Sequence, residues 1–308
     1  MTPRRTLAVA LAAVALLPGC GLGAGPTKKG GGAQLRVTRD FGKVAMVSAS
    51  VPKIRSSDTV MRLLQGHAKT TTRYGGGFVQ SINGLSGGGS GGRRDWFYFV
   101  NGTEAPTGAA DRHLSPGDVV QWDYRDWHAT LHVPAIVGAF PEPFVHGEQG
   151  ERYPTRIECA NGEKACDQVL KRLDDAGVAA GTSVLGAEAK GGILRLEVGT
   201  WSQLRHLSEL AVFEKGPAAS GVYARFNGPN QLELLDDHGD VARIAPPGTG
   251  LVAAIIPKGQ APLWVITGVD EAGVARAAAL LAAGPLRNAY AVAATPGGPV
   301  RLPVGSGG

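Results

Sequence analysis

The 308-residue chain carries 31 Lys and Arg against 26 Asp and Glu, a net of +5, and is 43% hydrophobic and 6% aromatic. Charge this nearly balanced excludes the strongly basic face that nucleic-acid binding requires. The length points to two domains.

The chain opens MTPRRTLAVALAAVALLPGC, in which Arg4 and Arg5 form a charged segment ahead of an apolar run over 7–17 that is too short to span a bilayer. This is the pattern of an export signal. Leu17-Pro18-Gly19-Cys20 resembles a bacterial lipobox, whose cysteine is lipidated after cleavage and becomes the first mature residue. An ordinary secretory signal with an incidental Cys20 is the plainer alternative. More than one acyl chain, at ~0.8 kcal/mol per buried methylene, would hold the protein durably on the extracytoplasmic face of the cell membrane. Residues 21–33, GLGAGPTKKGGGA, read as a Gly-rich tether reaching about 20 Å as a random coil. Without the two signal arginines, 29 basic and 26 acidic side chains remain.

Beyond the tether, residues 35–39 and 44–51 have the alternation of strands. A helix follows, with Ser57 or Asp58 as its cap, Val60, Met61, Leu63 and Leu64 on one face, and Gly66 near its end. Strands are expected at 78–82, along the aromatic run Trp96-Phe97-Tyr98-Phe99, and at 119–124. Phe78-Val79-x-Ser81-Ile82-x-Gly84, Trp96, Asn101-Gly102 and Pro116-Gly117-Asp118-Val119-Val120-x-Trp122-x-Tyr124 together resemble the transcobalamin C-terminal type of domain, a β-grasp module. The resemblance covers residues 40–127. It implies a β-grasp fold and, less directly, a corrinoid site; in the vitamin carriers this module closes over cobalamin with an all-helical domain, and nothing here could build that partner.

Alternation divides the aromatic run. Phe97 and Phe99 point one way and Trp96, Tyr98 and Val100 the other. The wholly apolar Phe pair is expected under the helix. Trp96 and Tyr98, each with a polar handle, then lie on an open face as a ligand-binding platform. On the last strand Val120, Trp122 and Tyr124 share a face opposite Gln121 and Asp123, which turns Trp122 and Tyr124 inward. Register decides how these faces pair. Trp96, Tyr98, Trp122 and Tyr124 are the candidate ligand-binding residues, and filling of a small core is the competing role.

A proline-spaced connector over 129–152 leads to a second, mixed α/β domain over 153–296 and a flexible tail over 297–308. The first domain occupies 34–128, so the whole is α+β, a β-grasp domain followed by a mixed α/β domain. In the second, strands are expected at 156–158, 194–198, 222–226, 232–235, 241–244, 251–256 and 263–267. Helices are expected at 167–176, 202–213 and, behind the cap Asp270, 271–282. Cys159 and Cys166 are destined for an oxidising compartment, where a disulfide is favoured over two free thiols or a metal site.

Several matches to chemical motifs have plainer explanations. Gly88-Gly89-Ser90-Gly91-Gly92 fits G-x-S-x-G but lacks the flanking strand and helix of a nucleophile elbow. Gly248-Thr249-Gly250-Leu251-Val252-Ala253 fits a dinucleotide fingerprint, yet an apolar strand follows it. His128 and His132 are spaced i, i+4 without the glutamate of H-E-x-x-H. Asp236 to Asp240 read as a hairpin turn sooner than a cation loop. No carboxylate pair with a recognisable spacing stands out. The chain reads as a binding lipoprotein and not an enzyme, with no required cofactor and cobalamin as an admissible ligand. Its expected partners are the membrane, through the lipid anchor, and a membrane transporter or envelope protein; docking of a surface protein or wall polymer is the alternative.

Overall fold

The computed structural model of the chain describes residues 25–88, 91–160, 164–188 and 192–305. Cys20 and the lipobox, and Gly89 and Ser90 of the Gly/Ser loop, lie outside the described residues. No described helix is long and apolar enough to cross a membrane.

The first unit comprises β1 Ala33–Arg39, β2 Val44–Val51, α1 Val60–Gln65, β3 Thr70–Arg73, β4 Phe78–Ile82, β5 Leu85–Ser86, β6 Arg94–Val100, β7 Thr103–Glu104 and β8 Val119–Asp126. Its main sheet has the order β2-β1-β8-β6-β7, with β1 antiparallel to β2 and parallel to β8. This is the β-grasp arrangement, a hairpin, a helix across one face, and a returning strand in the centre. Ala33, Leu35 and Val37 of β1 point toward α1, whose Val60, Leu63 and Leu64 are buried against them. Thr59, not Ser57 or Asp58, caps the helix by accepting from the Arg62 amide at 3.3 Å. Asp58 instead accepts from the Arg55 amide at 2.7 Å, closing the preceding turn. Within the stretch expected to be free tether, Thr27 bridges Arg55 and the Lys28 amide donates to the Ile54 carbonyl.

The second unit contains β9 Thr155–Cys159, α2 Ala165–Asp175, β10 Ala180–Val184, β11 Leu194–Thr200, α3 Trp201–Leu204, α4 Pro217–Ser220, β12 Ala224–Phe226, β13 Leu232–Leu235, β14 Val241–Ile244, β15 Gly250–Ile255, β16 Leu263–Gly268, α5 Glu271–Ala279, α6 Ala283–Leu286, β17 Ala291–Thr295 and β18 Gly298–Leu302. A seven-stranded mixed sheet of order β10-β9-β11-β16-β15-β17-β18 forms its spine, and β12, β13 and β14 make a small separate sheet. Alternation gives the spine two apolar faces. Ile157, Leu196, Val198, Val252 and Ile266 meet α2 and α5, while Leu251, Ala253, Leu263 and Val265 meet Trp201, Phe213, Phe226 and Leu234. A disulfide joins Cys159, at the end of β9, to Cys166 in the first turn of α2, with Cα atoms 6.2 Å apart.

Three expectations are corrected. The helix expected over 202–213 divides into α3 and a 3-10 segment, Ser208–Glu214, because Leu207 takes an extended backbone that bends the chain and lays Leu210 and Phe213 in the core. The expected tail instead supplies β18, which pairs with β17 and buries Leu302. The expected connector is core: Val133, Ile136, Val137, Phe140 and Phe144 are buried, and the rings of Phe140 and Phe144 lie 5.9 and 5.1 Å from Trp264.

The face of the first sheet opposite α1 packs on the second unit. Phe99 and Phe41 join its core, with ring centroids 5.5 and 5.2 Å from Tyr290. Buried polar groups close the seam. Gln121 Nε2 donates to the Asn288 carbonyl at 3.1 Å, and Arg36 Nη1 donates to the Gly138 carbonyl at 2.8 Å. Arg125, fully buried, donates to the Thr130 and Leu131 carbonyls and lies 3.8 Å over the Phe97 ring.

Candidate functional site

Register places the aromatic run. Across β6 and β8, Trp96 stands opposite Tyr124 and Tyr98 opposite Trp122, so all four share one face. That face is the one covered by α1, β4 and β5, where Trp96, Trp122 and Tyr124 are buried and Tyr98 is half-buried. The open platform expected of Trp96 and Tyr98 is thus corrected: the assignment of the two faces is inverted. The reason is that neither face is open. The second unit covers the other one, so the purely apolar Phe99 belongs in that larger core. Three of the four polar handles are met from within: Trp96 Nε1 donates to the Leu85 carbonyl at 3.0 Å, Tyr124 Oη to the Ser86 carbonyl at 2.9 Å, and Tyr98 Oη to the Thr107 carbonyl at 2.5 Å, while Trp122 Nε1 has no acceptor among the described residues. Tyr98 and Trp122 stack at 4.8 Å on each other, not on a ligand.

The aromatics that do reach solvent are Tyr74 and Phe78, 86% and 41% exposed. They flank the turn of R-Y-G-G-G-F between β3 and β4, where Arg73 pairs directly with Phe78 and the chain makes one turn of 3-10 helix, Tyr74–Gly76. Their rings meet edge to face at 6.5 Å. Tyr74 has φ of 53°, in the left-handed region, where a bulky residue is held at a cost of about 1–3 kcal/mol. The ring projects into water and adds nothing to the core.

Beside this rim lies a depression of 320 Å³ lined by Arg73, Tyr74, Phe78, Gln80, Gly87 and Asp95. Asp95 reaches it from the first turn of β6, and its Oδ1 accepts from the Trp96 amide at 2.8 Å. Burial pushes the Asp95 acid above the usual carboxylate range, while that amide bond opposes the shift. Gly87 lets the carboxyl lie against the backbone; a Cβ there would stand 2.5 Å from Asp95 Oδ1. The lining offers two aromatic faces, a guanidinium, a carboxyl and an amide. It suits recognition of a flat ligand with polar edges.

The remaining sequence candidates fall elsewhere. Gly248-Thr249-Gly250 is a turn that leads into β15; the Gly248 amide donates to Asp270 at 2.8 Å, tying the turn to the cap of α5. Asp236 to Asp240 form the β13–β14 turn, in which Asp236 accepts from the His238 and Asp240 amides. His128 and His132 lie outside helix: His128 meets Arg93 and packs 4.9 Å from His238, and His132 pairs with Glu104 at 3.5 Å. Among the described residues no group of three or more His, Cys, Asp or Glu could hold a metal ion. Neither Tyr74 nor Phe78 is among the ligand-binding residues expected from the sequence, although three consecutive glycines between two aromatics signal a turn with two rings at its shoulders.

Residues 57–126 match the model of a family described as a domain of unknown function (DUF4430). The matched span runs from the approach to α1 to the end of β8 and contains the whole of the Tyr74 rim. The search of curated proteins finds no match.

Proposed function

We propose that this protein is an extracytoplasmic binding lipoprotein, anchored through Cys20, that captures a small ligand on the Tyr74–Phe78 rim and presents it for uptake by a membrane transporter. The observation that carries the reading is the exposed aromatic pair beside a depression that also holds Arg73 and Asp95. Ring faces supply stacking area, and the guanidinium and the carboxyl give two polar points that orient a ligand at its edges. The resemblance of residues 40–127 to the transcobalamin C-terminal type of domain makes a corrinoid the first ligand to test. Its macrocycle is flat, its edge carries amides, and its colour reports binding.

The test is titration of the protein with cobalamin, followed by visible absorption and equilibrium dialysis. Saturable binding that a Tyr74→Ala/Phe78→Ala variant loses, with its melting temperature unchanged, supports the reading. Equal binding by both proteins, or by neither, refutes the corrinoid assignment. A second reading, a module that docks another envelope protein or wall polymer without a small ligand, is favoured by one observation: Tyr74 is 86% exposed and protrudes beyond the depression. Capture of a defined envelope partner by the parent and not by the double variant, in the absence of cobalamin binding, would support it.

A further inference from the structure

Glu158 and Glu197 stand directly opposite each other on the neighbouring parallel strands β9 and β11, with their side chains on the sheet face away from α2. Both side chains are fully buried. Arg156 holds Glu158 Oε1 through Nε at 2.9 Å and through Nη2. Arg195 Nη1 lies 3.4 Å from Glu197 Oε1 and 2.6 Å from Glu209 Oε1, which comes from the 3-10 segment, while its Nη2 donates to Gln260 Oε1 at 2.6 Å. The second oxygen of each glutamate has no donor from any described residue, and the register sets the two side chains side by side on one face of adjacent strands. The remaining registered neighbours, Ser183 of β10 beside Glu158 and Val265 of β16 beside Glu197, are uncharged.

Two neighbouring buried carboxylates, each with an oxygen that lacks a donor, repel unless a proton lies between them. Charge gives the same answer. Arg156 and Arg195 face Glu158, Glu197 and the partly exposed Glu209, with Glu188 and His206 on the rim of the adjoining pocket, so one proton on the fully buried pair relieves the negative charge that full ionisation would place away from water. We infer that Glu158 and Glu197 share one proton in the native protein, forming a pH-sensitive latch between the sheet and the 3-10 segment. With the proton in place, Arg195 is free to clasp Glu209 and Gln260. When it leaves, Glu197 gains full charge and competes for the same guanidinium, loosening the Ser208–Glu214 segment and the wall of the 380 Å³ pocket that Arg195, Glu209 and Gln260 line.

Desolvation, and then the neighbouring Glu158, push the Glu197 acid up to about 9. In the unfolded chain a glutamate titrates at about 4.3. Between these values the folded state holds a proton that the unfolded state has released, so stability is greatest at the acid end and falls as pH rises, until the folded group itself ionises near pH 9. One retained proton corresponds to a tenfold rise in the unfolding constant for each pH unit.

The experiment compares the full chain with Glu197→Gln, whose amide can donate to Glu158 in place of the shared proton. In infrared difference spectra at pH 7, the parent should show a carboxylic-acid carbonyl band that Glu197→Gln lacks. Across pH 5 to 8 the unfolding constant of the parent should rise about tenfold per unit more steeply than that of the variant. A difference band at the carboxylate position, or parallel pH profiles, overturns the inference. Should Glu197→Gln not fold, Glu158→Gln leaves the same single carboxyl and must give the same two results. Should neither fold, infrared pH titration of the parent decides: a buried acid band that persists above pH 7 and is lost near pH 9 supports the latch, and its absence at pH 7 refutes it.

Discussion

Tyr290 of the second unit donates its hydroxyl proton to Asp123 Oδ2 of the first at 3.0 Å, and both side chains are buried. Asp123 also accepts from Thr38 Oγ1 at 2.6 Å and from the Gly42 amide at 3.0 Å, so a single carboxylate gathers donors from β1, from the turn after it, and from the segment before β17. The two units are thus joined at a carboxylate whose donors come from both, set among Phe41, Phe99 and Tyr223.

Tyr290→Phe should therefore weaken the fold by about 1.5–3 kcal/mol near pH 8, the range for a bond to a charged acceptor. Burial already holds the Asp123 acid above its usual range, and losing this donor raises it further. The bond is stronger to the ionised carboxylate, so the loss should shrink as the pH is lowered and Asp123 takes up a proton. Denaturant unfolding of both proteins at several pH values checks the size and the sign.

Gly42→Ala attacks the same seam through the backbone. Gly42 has φ of +76°, and a Cβ would stand 1.8 Å from the Asn288 carbonyl. The variant should lose at least ~2 kcal/mol, and its calorimetric trace should broaden or split as the two units lose their common boundary. A melt that coincides with the parent's would show the seam to be more compliant than its packing indicates.

Trp96→Ala and the pair Tyr74→Ala/Phe78→Ala should behave oppositely. Trp96 is buried among α1, β5 and β8, and truncation should cost about 3–5 kcal/mol. The surface pair should change stability by no more than about 0.5 kcal/mol while abolishing ligand or partner capture. Thermal melts run alongside the binding assays separate the two behaviours.

Cys20→Ser should release the mature protein into the medium or periplasm, because a polar tether without acyl chains has no hold on a bilayer. Fractionation of cells expressing the variant measures this; retention with membranes would place the anchor elsewhere. Replacing Cys159 and Cys166 together should cost roughly 2–3 kcal/mol, the range for a short closed loop, read as a lowered denaturation midpoint.

Most strands and the main helices were legible because alternation and capping are local signals. The α+β class and the turn roles of Gly248 and Asp236 follow from such signals, the β-grasp order from the family resemblance, and the Cys159–Cys166 pairing from the expected oxidising compartment. What stayed hidden depends on partners distant in the chain. AVAAT at β17 is three-fifths alanine, which has little strand preference, and becomes a strand because β15 and β18 flank it. TTTR at β3 is an exposed edge with no apolar face to announce it. The faces of β6 were inverted because alternation says which residues share a side but not what covers each side. The Glu158–Glu197 pair is separated by 38 intervening residues and exists only through the parallel register of β9 and β11.

The place where the chain enters the fold also governs how the protein bears a load. β1 is not an edge: it lies between antiparallel β2 and parallel β8, held by both ladders. A pull exerted through the N-terminal segment first strips the Thr27 bridge and the Lys28 bond to Ile54, and is then directed along β1. In that direction the hydrogen bonds of two ladders resist together, in shear, instead of yielding one at a time as in an unzipping hairpin. Pulled from its N-terminal end, the protein meets the force with a strand that is held on both sides.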